Sequence, residues 1–202
     1  MNRIKITFLA AGLIALASCK EVKKESEEAG DAMQNEMEKM EETASEMKAD
    51  AMGNTLTLAM NSASDSDVKG EVTFTEEDGE VKMKAIFTGL SQGDHAIHLH
   101  ETADCSAHDG KSAGGHWNPT DQPHGKWGDE KGYHKGDIGN FVADEDGNAT
   151  VDFETDEWCM GCDDENKNII GKAVIVHQGT DDYTSQPSGD AGARVACTPI
   201  AK

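Results

Sequence analysis

Short stretches in which apolar and polar residues alternate recur along the chain from residue 54 onward. Eight such stretches contain alternating or β-branched residues and end at clusters of Gly, Asp and Ser. This combination is typical of β-strands separated by turns. The predicted strands are 54–61, 68–75, 81–87, 95–101, 139–143, 149–153, 172–177 and 194–198.

Two turns between these strands contain Asp78-Gly79 and Asp146-Gly147, which are hairpin signals. Short strands joined in this way favour an all-β fold, an eight-stranded antiparallel Greek-key barrel or sandwich of the immunoglobulin-like kind. The 149 residues of 54–202 are enough to enclose one hydrophobic core. We therefore predict a single β domain over residues 54–202.

The first 18 residues have the pattern of a signal peptide. Arg3 and Lys5 precede an apolar run over 6–17, which is too short to span a bilayer. The next residue is Cys19, and the sequence around it resembles a bacterial lipoprotein box in which Cys19 receives the lipid. We expect a protein of the cell envelope, anchored by lipid to a bacterial membrane and either facing the periplasm or exposed at the surface.

Residues 20–53 predict a charged stem, helical or flexible, between Cys19 and the β domain. The segment has no aromatic residue and no proline, and Glu, Lys, Ala and Met, all good helix formers, dominate it. Six residues follow one another at spacings of 4, 3, 4, 3 and 4, a heptad seam: Met33, Met37, Met40, Ala44, Met47 and Ala51. Because this seam is short and weakly apolar, a tether is favoured. Self-association and methionine capture of Cu(I) stay open.

The chain is strongly acidic, with 18 Lys and Arg against 39 Asp and Glu and a formal charge of −21. Removal of residues 1–18 leaves 16 basic and 39 acidic residues, a charge of −23. Such a charge disfavours binding to nucleic acid or adhesion to an anionic membrane. Membrane contact is therefore expected only through the lipid at Cys19.

Six of the eight histidines fall in a pattern that fits two metal ions. His98 and His100 stand at positions i and i+2 of a predicted strand, so both side chains project from the same face. The next four candidates lie in a long loop rich in Gly, Pro, Asp and Lys, and the last is His177. A loop this long in a compact domain needs a reason. The four loop candidates are His116, His124, His134 and Asp137.

These residues divide into two ligand sets that share His116. The set of three imidazoles and one carboxylate in the loop closes a tetrahedral site that suits zinc. The other set is His98, His100, His177 and the shared His116, all nitrogen, which favours Cu(II). The remaining histidines are interpreted otherwise, His95 as a packed, hydrogen-bonded residue and His108 as a loop residue.

At these positions the chain resembles copper/zinc superoxide dismutases of the bacterial type, from about residue 54 to the C-terminus. The motifs that carry the resemblance are His98-Leu99-His100-Glu101, Gly114-Gly115-His116-Trp117-Asn118-Pro119, His134-Lys135-Gly136-Asp137-Ile138-Gly139-Asn140 and Gly192-Ala193-Arg194-Val195-Ala196-Cys197. The resemblance implies that the first set binds copper, that the loop set binds zinc, and that His116 is the bridging imidazolate and carries a proton during turnover.

The resemblance also implies roles for residues outside the two ligand sets. Arg194 would sit beside copper, where its guanidinium can hold a small anion. Asp181 resembles a carboxylate that accepts hydrogen bonds from one copper and one zinc histidine and so orients both. The implied reaction is dismutation of superoxide to oxygen and hydrogen peroxide, which would protect the cell envelope.

Four cysteines remain besides Cys19, an even number that fits an oxidising compartment. The resemblance pairs Cys105 with Cys197. Cys159 and Cys162 depart from the family pattern, and a local disulfide between them is favoured. Free thiols or an extra metal site stay open, as does redox catalysis, although no βαβ context surrounds this Cys-x-x-Cys motif.

The acidic charge raises the question of how an anionic substrate is guided. The loop 178–193 contains Asp181, Asp182 and Asp190 but no Lys or Arg. Candidates to guide superoxide locally are Lys111, Lys126, Lys131 and Lys135.

The expected partner is superoxide and the expected cofactors are copper and zinc, while a homodimer is left open. The alternatives are a copper/zinc-binding lipoprotein without turnover and a purely structural or adhesive lipoprotein.

Overall fold

The computed structural model describes residues 54–201. This part of the chain contains eight β-strands and one short 3₁₀ helix, and every strand pairing is antiparallel. The strands are β1 (Asn54–Ser62), β2 (Lys69–Glu77), β3 (Glu80–Thr88), β4 (Gly93–His100), β5 (Gly139–Ala143), β6 (Ala149–Thr155), β7 (Ala173–His177) and β8 (Arg194–Pro199), and the 3₁₀ helix is Lys111–Ala113.

The alternation in the sequence sets which side of each strand is buried. In β3 the side chains of Val81, Met83, Ala85 and Phe87 are buried, whereas the residues between them are exposed. Strand β4 differs, because every residue from His95 to His100 is buried. Both faces of β4 are therefore covered, one by the barrel core and the other by a long loop.

The sheet runs in the order β5, β4, β7, β8, β1, β2, β3, β6, and it curls into a nearly closed barrel. The barrel core is formed by inward-facing residues of both halves, including Val72, Phe74, Met83, Phe87, Ile97, Leu99, Val174 and Val176. The predicted all-β, eight-stranded antiparallel barrel is confirmed. Each predicted strand is present, with ends that differ by up to two residues.

One of the two predicted hairpins is confirmed and the other is wrong. Asp78 and Gly79 form a tight turn with φ values of 54° and 83°, and β2 pairs with β3 along its whole length. The turn at Asp146-Gly147 is present, with the Gly147 N–H donating to the Asp144 carbonyl at 3.1 Å. However, β5 and β6 are the two edges of the sheet and have no ladder between them, so this turn spans the barrel seam.

A second cluster of buried residues lies outside the barrel core. Ala113, Ala173, Ile175 and Cys197 pack together there, and Cys105 contacts them. Cys105 and Cys197 form a disulfide across 92 residues, which joins the long loop to β8. Closing a segment of that length restricts the unfolded chain and contributes about 4–5 kcal/mol to stability on the chain-entropy account.

The predicted signal peptide over 1–18, the lipid site at Cys19 and the stem over 20–53 lie outside the described residues. They stay predictions. Within residues 54–201 no helix has the length and apolar character needed to cross a membrane.

Candidate metal centre

Two adjacent strands bring three histidines to the loop-covered face of the barrel. His98 and His100 of β4 pair with Ile175 and Ala173 of β7, and His177 is the last residue of β7. A register shift between Val176 and His177 interrupts the pairing with β8 at that point. The i, i+2 spacing along β4 and the end of β7 thus place three imidazoles together.

The long loop is attached to β4 by its backbone. The Trp117 N–H donates to the Leu99 carbonyl at 2.8 Å, and the Leu99 N–H donates to the Gly136 carbonyl at 2.9 Å. A side chain at Gly136 would collide with the Leu99 carbonyl, so this close approach requires glycine. These contacts place His116 next to His100, with which it forms an isolated β-bridge.

The seven predicted ligands come together as two buried groups. One group contains His98, His100, His116 and His177, and the other contains His116, His124, His134 and Asp137. Within each group the candidate ligand atoms all lie within 4.8 Å of one another. His116 belongs to both groups, as the pattern in the sequence predicted.

The histidine nitrogens of these groups lack hydrogen-bond partners in a way that metal binding would explain. Each of the six histidines has one buried ring nitrogen that finds no hydrogen-bond partner within residues 54–201. Buried polar atoms are rarely left unpaired, and six at one place fit two sites that bind cations. The atoms are Nδ1 of His98, His124 and His134, and Nε2 of His100, His116 and His177.

The carboxylate of Asp137 is the centre of the loop group. Its oxygens lie 2.8, 3.0 and 3.2 Å from Nδ1 of His116, His124 and His134. The contacts to His124 and His134 are close but lack hydrogen-bond geometry, so both nitrogens remain unpaired. His116 Nδ1, by contrast, is hydrogen-bonded to the Asp137 carboxylate. Three imidazole nitrogens and one carboxylate oxygen are the donor set of a tetrahedral zinc site.

Hydrogen bonds on the opposite ring nitrogens orient several of these imidazoles. His98 Nε2 and His124 Nε2 lie 2.8 and 2.9 Å from the two oxygens of the buried Asp181 carboxylate. His100 Nδ1 donates to the Gly114 carbonyl at 2.9 Å. Asp181 thus connects one histidine of each group, and such outer contacts fix the ring and raise its basicity as a ligand.

Asp181 and His124 are themselves held by two residues that sequence reasoning missed. The Asn140 side chain accepts from the Asp181 N–H at 2.8 Å and donates to the Asp181 carbonyl at 2.9 Å. The Gln186 side chain makes the same pair of contacts with the His124 backbone, both at 2.9 Å. Asn140 stood within a recognised motif, but nothing in the local sequence marked Gln186.

The four histidines of the first group are neutral at neutral pH. Burial lowers the pKa of His98 and lowers those of His100 and His177 well below the usual value. Burial likewise brings the pKa of His116 to about 4. Since metals bind neutral imidazole, this group is already in its binding form.

The loop group carries a charge instead. Burial opposes the charged form of His124, but its contacts with the carboxylates of Asp137 and Asp181 prevail and raise its pKa to about 9. Although burial acts in the other direction, hydrogen bonds from histidines lower the pKa values of both aspartates. In the metal-free protein His124 is therefore protonated at pH 7.

Arg194 lies beside the first group. It is paired with His177 across β7 and β8, and its guanidinium donates to the carbonyls of Gly110 at 2.8 Å and Gly114 at 2.7 Å. The Gly114 carbonyl also accepts from His100, so one oxygen links Arg194 to this histidine. Arg194 is only partly buried, which leaves part of its charge available to a small anion.

Two of the four lysines considered as guides for the substrate are already ion-paired. Lys111 Nζ lies 2.7 Å from the Asp109 carboxylate, and Lys135 pairs with Glu157. Lys126 and Lys131 have no ion pair within residues 54–201. The local positive charge is therefore smaller than the lysine content of the loop suggests.

The other predictions from histidines and cysteines agree with the structure. His95 is buried, and its Nδ1 lies 2.8 Å from the His177 carbonyl, whereas the exposed His108 pairs with Asp65 at 3.0 Å. Cys159 and Cys162 form the local disulfide that was favoured over free thiols.

Comparisons with known proteins agree with this geometry. A sequence model of the family copper/zinc superoxide dismutase (SODC) matches residues 68–200. Superoxide dismutase [Cu-Zn] 2 of Aquifex aeolicus is 34% identical over 139 residues, which cover 67% of this chain and 81% of that protein. Superoxide dismutase [Cu-Zn] of Paramecium bursaria Chlorella virus 1 is 38% identical over 141 residues, covering 66% of this chain and 72% of the relative.

Two solved structures have the same fold. The clock protein EA4 is 34% identical and superposes with a TM-score of 0.63 over 74% of this chain and 95% of its own. A double mutant of a SOD-like protein from Bacillus subtilis is 28% identical, with a TM-score of 0.64 over 72% of this chain and 97% of its own.

The chain belongs to the copper/zinc superoxide dismutase family. Copper and zinc are the metals that this family implies, and the two buried groups are able to hold them.

The charge on His124 predicts a proton release on metal binding. At pH 7 zinc should displace about one proton from His124, and at pH 9 only about half as many, because His124 is then half deprotonated. Calorimetric titration in buffers of different ionisation enthalpy measures this number. Asp181→Asn, which removes one of the two carboxylates, should reduce the release at pH 7. A proton count that stays constant between pH 7 and 9 would contradict the assignment.

Proposed function

We propose that the protein catalyses the dismutation of superoxide at a copper ion held by the first group, with zinc in the loop group. The observation that carries this proposal is the shared His116, whose two ring nitrogens face the two groups. Nδ1 lies 2.8 Å from Asp137, and Nε2 is one of the buried nitrogens without a partner. A buried imidazole with one ring nitrogen toward each ligand group is expected where two cations lie next to each other.

The donor sets decide which metal each group holds. Four imidazole nitrogens suit Cu(II), whereas three imidazoles and a carboxylate close a tetrahedral zinc site with no open position. In the zinc group the Asp137 carboxylate is also held by the N–H groups of Gly125 and His134. The copper group has the partly exposed Arg194 beside it. Reaction with a solvent-borne anion is therefore assigned to the copper side.

Copper supplies a one-electron couple when bound, so that two superoxide ions and two protons become one oxygen and one hydrogen peroxide. The residues of this chain bind the anion and hold a proton. Arg194 holds the anion through donors that its two carbonyl contacts leave free. Nδ1 of His116 would be the atom that holds zinc, so Nε2 can take a proton, which places a transferable proton on the copper side.

A binding protein that stores copper or zinc without turnover is the rival function. It would need the seven ligands but no cation beside the copper group. The two carbonyl contacts that hold Arg194 next to His100 favour an enzyme, since they keep an anion-binding group at the reactive metal.

Removal of one copper ligand separates activity from zinc binding. We predict that His177→Ala lowers dismutation by more than the roughly 10–100-fold typical of losing an outer contact, because copper keeps only three imidazoles. Zinc content should stay near that of the unmodified protein. The measurements are a superoxide dismutation assay and elemental analysis of the same preparation.

His108→Ala is the matched control for this variant, since His108 is an exposed histidine outside both groups. It should keep its activity and both metals. Full activity in His177→Ala would contradict the assignment of copper, and no dismutation by the unmodified protein loaded with both metals would overturn the proposed function.

We also propose that the enzyme works in the bacterial cell envelope, attached by lipid at Cys19, and protects that compartment from superoxide. The support is the signal-peptide pattern over residues 1–18 followed directly by Cys19. The two disulfides fit an oxidising compartment. Stable attachment requires two or more acyl chains, because a single chain binds a membrane only marginally.

The lipid proposal predicts the behaviour of a Cys19→Ser variant expressed in bacteria from the full chain. It should lose incorporation of labelled fatty acid and move from the detergent phase to the aqueous phase. A double variant, Cys159→Ser with Cys162→Ser, controls for the general loss of cysteines and should keep the label. Retention of the label in Cys19→Ser would refute the proposed site.

A further inference from the structure

His134 is oriented differently from the other ligands of the loop group. His124 has an outer hydrogen bond to Asp181, and His116 lies between the two groups. Nε2 of His134 makes no hydrogen bond within residues 54–201, and it is not one of the buried unpaired nitrogens. Its position is therefore set mainly by its backbone, whose N–H donates to Asp137 at 2.8 Å.

The residues on either side of His134 are held by one short segment. The Tyr133 hydroxyl donates to the Glu157 carboxylate at 2.6 Å, and the Lys135 ammonium donates to the other oxygen of the same carboxylate. The Trp158 indole N–H donates to the Lys135 carbonyl at 2.8 Å. Glu157 and Trp158 thus fix the chain before and after His134 from outside the metal loop.

These contacts are shielded from solvent. The Lys135 and Glu157 side chains are 20% and 29% exposed, less than a typical surface pair. Trp158 is buried, and its ring lies 4.9 Å from Phe153 and 5.9 Å from Trp127 between centroids. Partly buried charged hydrogen bonds are stronger than exposed ones, so this segment restrains the loop more than an ordinary surface contact does.

The local disulfide begins at the residue after Trp158. Cys159 is buried and bonded to Cys162, and its backbone is fixed on both sides. The Cys159 N–H donates to the Lys167 carbonyl at 2.8 Å, and the Cys159 carbonyl accepts from the Ile169 N–H at 3.0 Å. The disulfide therefore closes the short loop that directly follows Glu157 and Trp158.

We propose that Glu157 and Trp158 are positioning residues for the zinc ligand His134, and that the Cys159–Cys162 disulfide holds them in place. The inference rests on the proposed function, because it takes His134 to be a zinc ligand. Zinc tolerates only small errors in ligand distance, so a ligand without its own outer hydrogen bond depends on the backbone that carries it.

The test uses the full chain with Glu157→Gln and Trp158→Phe, singly and together. Trp158→Phe keeps an aromatic ring beside Phe153, removes the indole donor and leaves a smaller ring in this buried position. The double variant should bind zinc about 10-fold or more weakly, the range typical of lost outer contacts. The dissociation constant is measured by competition with a chromogenic chelator. The visible spectrum of the Co(II)-substituted site should change in parallel, whereas the copper affinity of the zinc-free protein should not change.

Glu154→Gln is the matched control, since Glu154 is an exposed glutamate of β6, three residues before Glu157. It should bind zinc like the unmodified protein. A charge exchange adds a rescue: Lys135→Glu alone should weaken zinc binding, and Lys135→Glu with Glu157→Lys should restore much of it. An unchanged zinc affinity in the Glu157 and Trp158 double variant, or an equal loss of copper and zinc, would overturn the proposal.

The disulfide is tested with Cys159→Ser combined with Cys162→Ser. This variant should bind zinc severalfold more weakly, while its circular dichroism and the copper affinity of its zinc-free form stay unchanged. An unaltered zinc affinity would overturn the role given to the disulfide. Failure of the proposed function has a different signature, because it would appear in the unmodified protein, either as no zinc at the loop group or as no dismutation with both metals bound.

Discussion

The structure depends on one constraint, the burial of six imidazole nitrogens that have no hydrogen-bond partner in the described part of the chain. Burying these nitrogens without a cation would be costly, since each unpaired buried group loses its contacts with water. Two divalent ions at the two groups supply the missing partners. His116 belongs to both groups, so each ion also stabilises the site of the other.

The barrel and the loop make that arrangement rigid in different ways. Strands β4 and β7 provide three ligands from a continuous hydrogen-bonded sheet, where position follows from register. The loop provides the other four ligands and has almost no regular structure, so the positions of these ligands depend on contacts between the loop and the barrel. Gly136 allows the loop to approach β4, and the Cys105–Cys197 disulfide ties an earlier part of it to β8. Asp181 then joins the two groups through His98 and His124.

The same difference explains what the sequence can predict. Alternation along β3 and the i, i+2 spacing of His98 and His100 are local, so the strands and this ligand pair followed from the sequence. The Asp146-Gly147 hairpin was wrong because a turn signal is local, while the pairing of β5 and β6 depends on how the whole barrel closes.

The contacts that support the ligands were harder to predict than the ligands. Gln186 reaches His124 across 62 residues, and Glu157 reaches Tyr133 across 24, with no spacing rule that links them. Ligands are limited to a few residue types, but almost any polar residue can support one. The roles of the seven ligands, Arg194 and Asp181 stay predictions, although the structure brings these residues together as the sequence suggested.

The central claim is that two different metals share His116. A crystal structure of the metal-loaded protein, with anomalous scattering collected at the copper and zinc absorption edges, tests it most directly. The account predicts a copper signal among His98, His100, His116 and His177, and a zinc signal among His116, His124, His134 and Asp137, with the His116 ring between them. A single metal position, or two positions of which only one contacts His116, would contradict it.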